Sequence, residues 1–338
     1  SANFLYVALE HMKRLEGEVL GFMSELTLGQ GVLESEGLTV DPHQFLGLEI
    51  NPRAAQIAEL VLWIGYLQWH YRLNDRLDLP EPILRDFKNI ECRDALVEYD
   101  SREPELDDTG EPVTIWDGIS MKVSPTTGEL IPDETGRAIV FRYHNPRRAE
   151  WPAAEYIIGN PPYIGARRIR SALGDGYLQA LRGVYTDIPE HVDFVMYWWV
   201  RASESMASGK AKAFGLITTN SLRQSFSRKV VEKTFDTNSN CSIKFVIPDH
   251  PWVDSVDGAA VRVTLISVDS NKAPGIVALI RNEEAEGSGA YKITLDSKLG
   301  HITPNLTIGA DPGEAKCLSS NSSVCRVGYQ LTGKGVVL

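Results

Sequence analysis

Apolar residues recur near a 3.6-residue spacing over residues 3 to 26, at Phe4, Val7, Ala8, Met12, Leu15 and Val19, which predicts an amphipathic helix. "FLGLEI" (45–50) then reads as a short apolar strand. Behind it, Asn51-Pro52 is a helix cap with proline at the first helical position, and the helix runs to about Tyr71. "NIECRDAL" (89–96) is a strand segment ending at Asp94. After "AEYIIGN" (154–160), a strand, come a helix "HVDFVMYWWVRASESM" (191–206), a strand "KAFGLITTN" (212–220) and a helix "SLRQSFSRKVVEKTF" (221–235). "SIKFVIPD" (242–249) and "AAVRVTLISVD" (259–269) follow as two strands with no helical pattern between them. Alternation of this kind, closed by a hairpin, predicts an α/β fold on a mostly parallel sheet.

Residues 98–152 break the alternation. "EYDSREPELDDTGEP" is acidic and punctuated, and "SPTTGELIPDETGRAIVFRYHN" reads as hairpins joined by Thr-Gly turns, so the segment is an insertion ahead of the next core strand. Beyond about Asn271 the chain is rich in Gly, Ser and Asn with scattered short strands, the beginning of another region. The expected division is therefore 1–270, with its insertion, and 271–338.

Composition narrows the class. The 338 residues are 43% hydrophobic and 23% charged, ordinary for a soluble globular protein. The most apolar run, Leu60 to Trp69, is too short to span a bilayer, so no membrane partner is expected. The chain opens without a cationic leader, and Cys92, Cys241, Cys317 and Cys325 lack any metal-ligand spacing. Both point to a reducing cytoplasm and no structural metal. A net charge of −11 opposes nucleic-acid binding on average, but "GARRIRSALG" (165–174) and "SLRQSFSRKVVEK" (221–233) are locally basic. Either run alone also fits a solvated helix face.

The candidate chemistry sits at strand ends. "YIIGNPPYIG" (156–165) places Asn160-Pro161-Pro162-Tyr163 directly behind an apolar strand. Proline has no N–H for a ladder, so the strand must stop at Asn160, and the stiff turn holds Asn160 and Tyr163 at its carboxyl end. In open α/β sheets ligands bind at that edge, and an acid at the second strand's tip accepts from ribose hydroxyls. Glu49 and Asp94 occupy two further strand ends.

This set of residues resembles the adenine-specific, S-adenosylmethionine-dependent DNA amino-methyltransferases, most of all the large enzymes of bacterial restriction-modification and phage-defence systems. The resemblance covers residues 1 to about 270 and includes "ITTNSLRQSFSR" and "DHPWVDSVDGAAVRVTLI". It implies a class I Rossmann-like methyltransferase with strand order 3-2-1-4-5-7-6. The family's cofactor loop is Asp-Pro-Xaa-Xaa-Gly-Ser/Thr-Gly-Xaa-Phe-Leu, and Ser1-Ala2-Asn3-Phe4-Leu5 matches only its tail, with Ala2 where glycine is usual. The first strand is accordingly expected upstream of Ser1, and this chain is expected to be an internal fragment. The region after residue 270 is expected to lead into target recognition.

Site roles follow from the same resemblance. S-adenosyl-L-methionine would be held by Ser1, Ala2 and Asn3, by Glu49 on its ribose hydroxyls with Ile50 on the adenine ring, and by Asp94 on its exocyclic amine with Ala95 nearby. Asn160 and the Pro161 carbonyl, on the Pro161-Pro162 turn, would accept from the amine of a target adenine flipped out of double-stranded DNA. Tyr163 would stack on that base and Trp252 would form the opposite wall. Asp193 falls at a pocket-lining position. Arg167, Arg168, Arg170, Arg223 and Arg228 would contact DNA, and a nuclease fused to or associated with this segment would lie outside it. Two alternatives use the same residues. A protein-glutamine N5 methyltransferase faces the same problem of a delocalised amide lone pair, and a non-catalytic DNA-binding subunit would retain the fold without turnover.

Overall fold

The first apolar stripe folds as α1 (Asn3–Leu26), followed by β1 (Gly47–Glu49) and α2 (Pro52–Asn74). These come from a computed structural model that describes residues 3–26, 40–74, 89–117, 120–133, 135–251, 262–286 and 290–310. The Asn51 side chain accepts from the N–H groups of Arg53 (3.0 Å) and Ala54 (3.2 Å), so the Asn-Pro pair caps α2 as its residue types require. β2 (Ile90–Cys92) pairs in parallel with β1, Glu49 lying opposite Cys92. Leu9, Phe45 and Leu62 form a small core between α1 and α2, and Leu5 packs against it. No helix among the described residues is long and apolar enough to cross a membrane.

The insertion is one nested hairpin rather than a series of them. Outermost are β3 (Val97–Glu98) with its partner at 147–148, then β4 (Ser101–Pro104) with 141–144, β5 (Thr114–Trp116) with 137–139 and β6 (Met121–Val123) with 130–132. The returning strands are β7 (Leu130–Pro132), β8 (Arg137–Ile139), β9 (Phe141–His144) and β10 (Arg147–Arg148). Thr127-Gly128 sits in the end turn, where Gly128 has φ +72° and its N–H donates to the Ser124 carbonyl (2.9 Å).

The central region continues with β11 (Tyr156–Gly159), α3 (Ile169–Leu173), α4 (Asp175–Val184), α5 (Val195–Ala207), β12 (Ala213–Thr219), α6 (Ser225–Thr237), β13 (Ser242–Pro251) and β14 (Arg262–Asp269). β15 (Gly275–Glu286) and β16 (Ala290–Gly300) close it. The base of the arm rests on α4 so closely that a methyl group on Gly176 would lie 1.7 Å from the Phe141 carbonyl oxygen. Helix α5 buries Val195, Met196, Trp199, Ala202 and Met206, one face at helical spacing. Trp199 packs edge-on against Phe214 of β12 at 5.1 Å and donates to the Thr234 hydroxyl of α6 (2.9 Å), so one indole ties two helices to the sheet.

The main sheet runs β11-β12-β14-β13-β15-β16. Within it and the β1–β2 pair, each neighbour up to β14 is the one that the order 3-2-1-4-5-7-6 expects once its first strand is left out. Parallel pairing does not predominate among the described strands, although the antiparallel β12/β14 and β13/β14 pairings come from the closing hairpin that the sequence predicts. Pairings β1/β2, β11/β12 and β13/β15 are parallel, whereas β12/β14, β13/β14 and β15/β16 are antiparallel. The fold is mixed α/β. A second difference lies past Asn271, where two strands of 12 and 11 residues replace the scattered short ones. β15 joins the sheet beside β13, and Leu306 beyond β16 is buried in the main core.

Candidate functional site

The Asn-Pro-Pro-Tyr turn stands where the strand alternation placed it, one residue past the end of β11. Pro161 is buried and anchors the turn, while Asn160 and Pro162 are exposed. The Tyr163 hydroxyl donates to the Asn160 side-chain oxygen. Burial pushes that hydroxyl up to about 12, against the lowering effect of the bond to Asn160, so the phenol stays protonated at neutral pH. Ring and amide are therefore held together at the strand end, the ring half-buried and the amide facing solvent.

The two acids occupy the ends of adjacent parallel strands. Glu49 closes β1 and accepts from the Asn51 N–H at 3.0 Å. Ile50 directly after it is 68% exposed, an uncovered apolar surface at the strand tip. Asp94 lies two residues past β2, and both its oxygens are engaged. Oδ1 accepts from the N–H groups of Leu96 (2.7 Å) and Val97 (3.2 Å), and Oδ2 from the Tyr177 hydroxyl (2.7 Å). Burial, then the charge of Asp94, holds that hydroxyl well above the usual tyrosine range. The Ala95 carbonyl accepts from the Trp151 indole (2.6 Å), which fastens the loop to the segment entering β11. Asn3 is the first residue of α1, and Leu5 on the next turn faces Gly47 of β1. Ser1, Ala2 and Trp252 lie outside the described residues.

The five arginines separate into two groups. Arg170 pairs with Asp175, and Arg228 binds Glu232 (3.0 Å) and Asn305 (3.1 Å). Arg167 and Arg168, just after the tetrad, and Arg223, just after β12, are exposed with no side-chain partner among the described residues. Arg223 also borders an open polar cleft of about 420 Å³ shared with Asn220, Ser221, Gln224 and Asn305. Because β11 and β12 are parallel neighbours, these three cations and the tetrad crowd one edge of the sheet.

Asp193, expected at a pocket-lining position, and further polar residues complete this edge. Asp193, just ahead of α5, accepts from the Ala166 N–H (3.0 Å) and from the hydroxyls of Thr219 (3.1 Å) and Ser221. Asn220 donates to Asp249 (3.0 Å), which is also bound by Arg262 and has φ +56°. The signal for them was the polar run Thr218-Thr219-Asn220-Ser221 behind an apolar strand, the same pattern that marked Asn160. Tyr177 carried no such local signal.

The chain is 22% identical over 271 residues to DNA methyltransferase A of Bacillus subtilis (strain 168), covering 79% of this chain and 25% of that protein. Its fold is similar to the solved structure of the Type IIL restriction-modification enzyme MmeI in complex with DNA, with a TM-score of 0.53, 19% identity, and coverage of 92% of this chain and 34% of that one. The chain thus spans only a quarter to a third of these relatives. The family model described as "MmeI, DNA-methyltransferase domain" matches residues 1–278, and on that match the chain belongs to the family of MmeI DNA-methyltransferase domains.

Proposed function

We propose that this chain transfers the methyl group of S-adenosylmethionine to the N6 amine of adenine in DNA, as the modification part of a restriction-modification or defence system. The observation that carries the proposal is the turn after β11: a side-chain amide beside an aromatic ring, on a double proline, at a sheet edge with three uncommitted arginines. The finer fold assignment, a Rossmann-like sheet, belongs to the same proposal. Its first strand would lie between β1 and β11, each of which has a neighbour on one side only among the described residues. The region after residue 270 would lead into target recognition.

The residues present fit the methyl donor. Glu49 and Asp94 are carboxylates at adjacent strand ends, and the exposed Ile50 side chain next to Glu49 suits the face of an adenine ring. Asp94 is already oriented by Tyr177 and two backbone donors, and a carboxylate oxygen that accepts one hydrogen bond has capacity for another. The donor supplies a methyl group already activated by a sulfonium. The protein's task is then alignment.

Adenine N6 is a weak nucleophile because its lone pair is delocalised into the ring. Acceptors on its two N–H bonds, the Asn160 side-chain oxygen and the Pro161 carbonyl, draw the nitrogen towards tetrahedral geometry and localise that pair. Both are fixed before the base arrives, so little reorganisation is needed at the moment of reaction. A base inside a duplex cannot reach this turn and must be flipped out, with Tyr163 as its stacking face. In the free protein the Asn160 oxygen accepts from the Tyr163 hydroxyl, and its second lone pair remains for the incoming amine.

Arg167, Arg168 and Arg223 distinguish DNA from a glutamine side chain as substrate. With a labelled methyl donor, duplex DNA and a glutamine-containing peptide in one reaction, label is expected on the DNA. Replacing the three by glutamate should weaken DNA binding and flatten its dependence on salt, by roughly one unit of slope per lost phosphate contact. The paired Arg170 and Arg228 should matter less. Label on the peptide would select the protein-methylating alternative.

A further inference from the structure

Asp193 is placed to do more than start a helix. Its carboxylate is half-buried and is held by three donors: the Ala166 N–H and the hydroxyls of Thr219 and Ser221. Ala166 lies three residues past Tyr163, whereas Thr219 ends β12 and Ser221 belongs to the turn that carries Arg223. The next residue extends the tie, since the Phe194 N–H donates to the Ile164 carbonyl (2.9 Å). Between these two bonds Gly165 passes under the carboxylate, where an added methyl would sit 3.7 Å from Oδ1. No cation is paired with Asp193 among the described residues.

A partly buried carboxylate answered only by neutral donors is costly unless each bond is well made. Ordinary helix capping needs one acceptor for the helix's own first N–H groups. This carboxylate spends its acceptor capacity elsewhere, on a loop 27 residues upstream and on a strand end 26 to 28 residues downstream. Removing it would leave the Ala166 N–H without its partner and the Thr219 and Ser221 hydroxyls with only each other. It would also uncouple the loop that leaves the tetrad from the loop after β12.

We infer that Asp193 is a positioning residue that bolts the Asn160–Tyr163 turn to the end of β12, so that the two amine acceptors and the Arg223 turn form one rigid unit. The inference rests on the methyl-transfer reading of the site. In this role Asp193 touches neither base nor methyl donor. It sets where Asn160 and Pro161 stand, and a displacement of about 1 Å at such acceptors costs on the order of 10²-fold in rate.

The test compares Asp193→Ala, Asp193→Asn and the double variant Thr219→Val/Ser221→Ala in the full-length protein, scoring methyl transfer to DNA, methyl-donor affinity and exchange of the Ala166 amide. Asp193→Ala should lower kcat by on the order of 10²-fold, leave donor affinity within about threefold, and expose the Ala166 amide to exchange. Asparagine keeps one oxygen for the Ala166 N–H and can donate to the rotatable hydroxyls, so it should recover most of the rate. The double variant keeps the carboxylate and the Ala166 bond but cuts the tie to β12, and its kcat should also fall. It decides the matter if Asp193→Ala does not fold. Unchanged kcat in either the alanine or the double variant, or donor affinity and kcat falling together, would overturn the inference. Absence of methyl transfer by the unmodified protein would instead be a failure of the proposed reaction.

Discussion

Asn160→Ala should abolish most methyl transfer while leaving methyl-donor affinity within a few fold. The side chain is exposed on a turn built by Pro161 and Pro162, so truncating it opens no cavity and breaks no ladder. What disappears is one of the two acceptors proposed for the target amine, and also the partner of the Tyr163 hydroxyl. Loss of a preorganised polar group aimed at a reacting centre costs on the order of 10²-fold or more. The effect should appear in kcat, because the interaction strengthens only as the nitrogen pyramidalises. Single-turnover transfer of a labelled methyl group, with donor binding measured by calorimetry, separates the two quantities. Near-normal turnover would remove Asn160 from the mechanism.

The two natural truncations of Tyr163 should differ sharply. Tyr163→Ala takes away the ring that would hold a flipped base, and base–aromatic stacking contributes roughly 1–3 kcal/mol, so affinity for substrate DNA should fall by about ten- to a hundredfold. Tyr163→Phe keeps the ring and removes only the hydroxyl bonded to Asn160. Since the Asn160 oxygen can accept from a target amine with or without that hydroxyl, the phenylalanine variant should retain near-normal turnover. Fluorescence of a base analogue at the target position, compared across both variants, reads the stacking directly. Equal losses would assign the work to the hydroxyl instead of the ring.

How far the sequence disclosed this protein depended on whether a signal was local. The bounds of α1 were legible because six apolar residues repeat with helical period, and α2 because Asn51-Pro52 is a start signal in itself. The tetrad was legible because proline cannot continue a strand. The nested arm was not, since the pairing of Ser101 with His144 or Thr114 with Ile139 leaves no mark on either segment. Its Thr-Gly pairs look alike whether they close separate hairpins or turn within one. β15 and β16 were hidden by their own composition: "RNEEAE" and "KITLDSKLG" do not alternate cleanly, and pairing to each other and to β13 makes them strands. The same limit applies at the site. Basic runs around 165–174 and 221–233 were visible, but Asp175 and Glu232, which neutralise Arg170 and Arg228, act only through the fold. The position of Asp193 was legible from the family resemblance, but its three donors, 26 to 28 positions away, were not.

Methylation of adenine N6 in DNA by the full-length protein is tested by nucleoside analysis of the DNA it has acted on. Plasmid DNA from cells expressing the protein should be digested to nucleosides and resolved by mass spectrometry, beside DNA from cells expressing Asn160→Ala. N6-methyldeoxyadenosine is expected in the first sample and its loss in the second. Methyl groups found only on cytosine, or DNA left unmodified while a protein glutamine is methylated, would contradict N6 methylation of DNA.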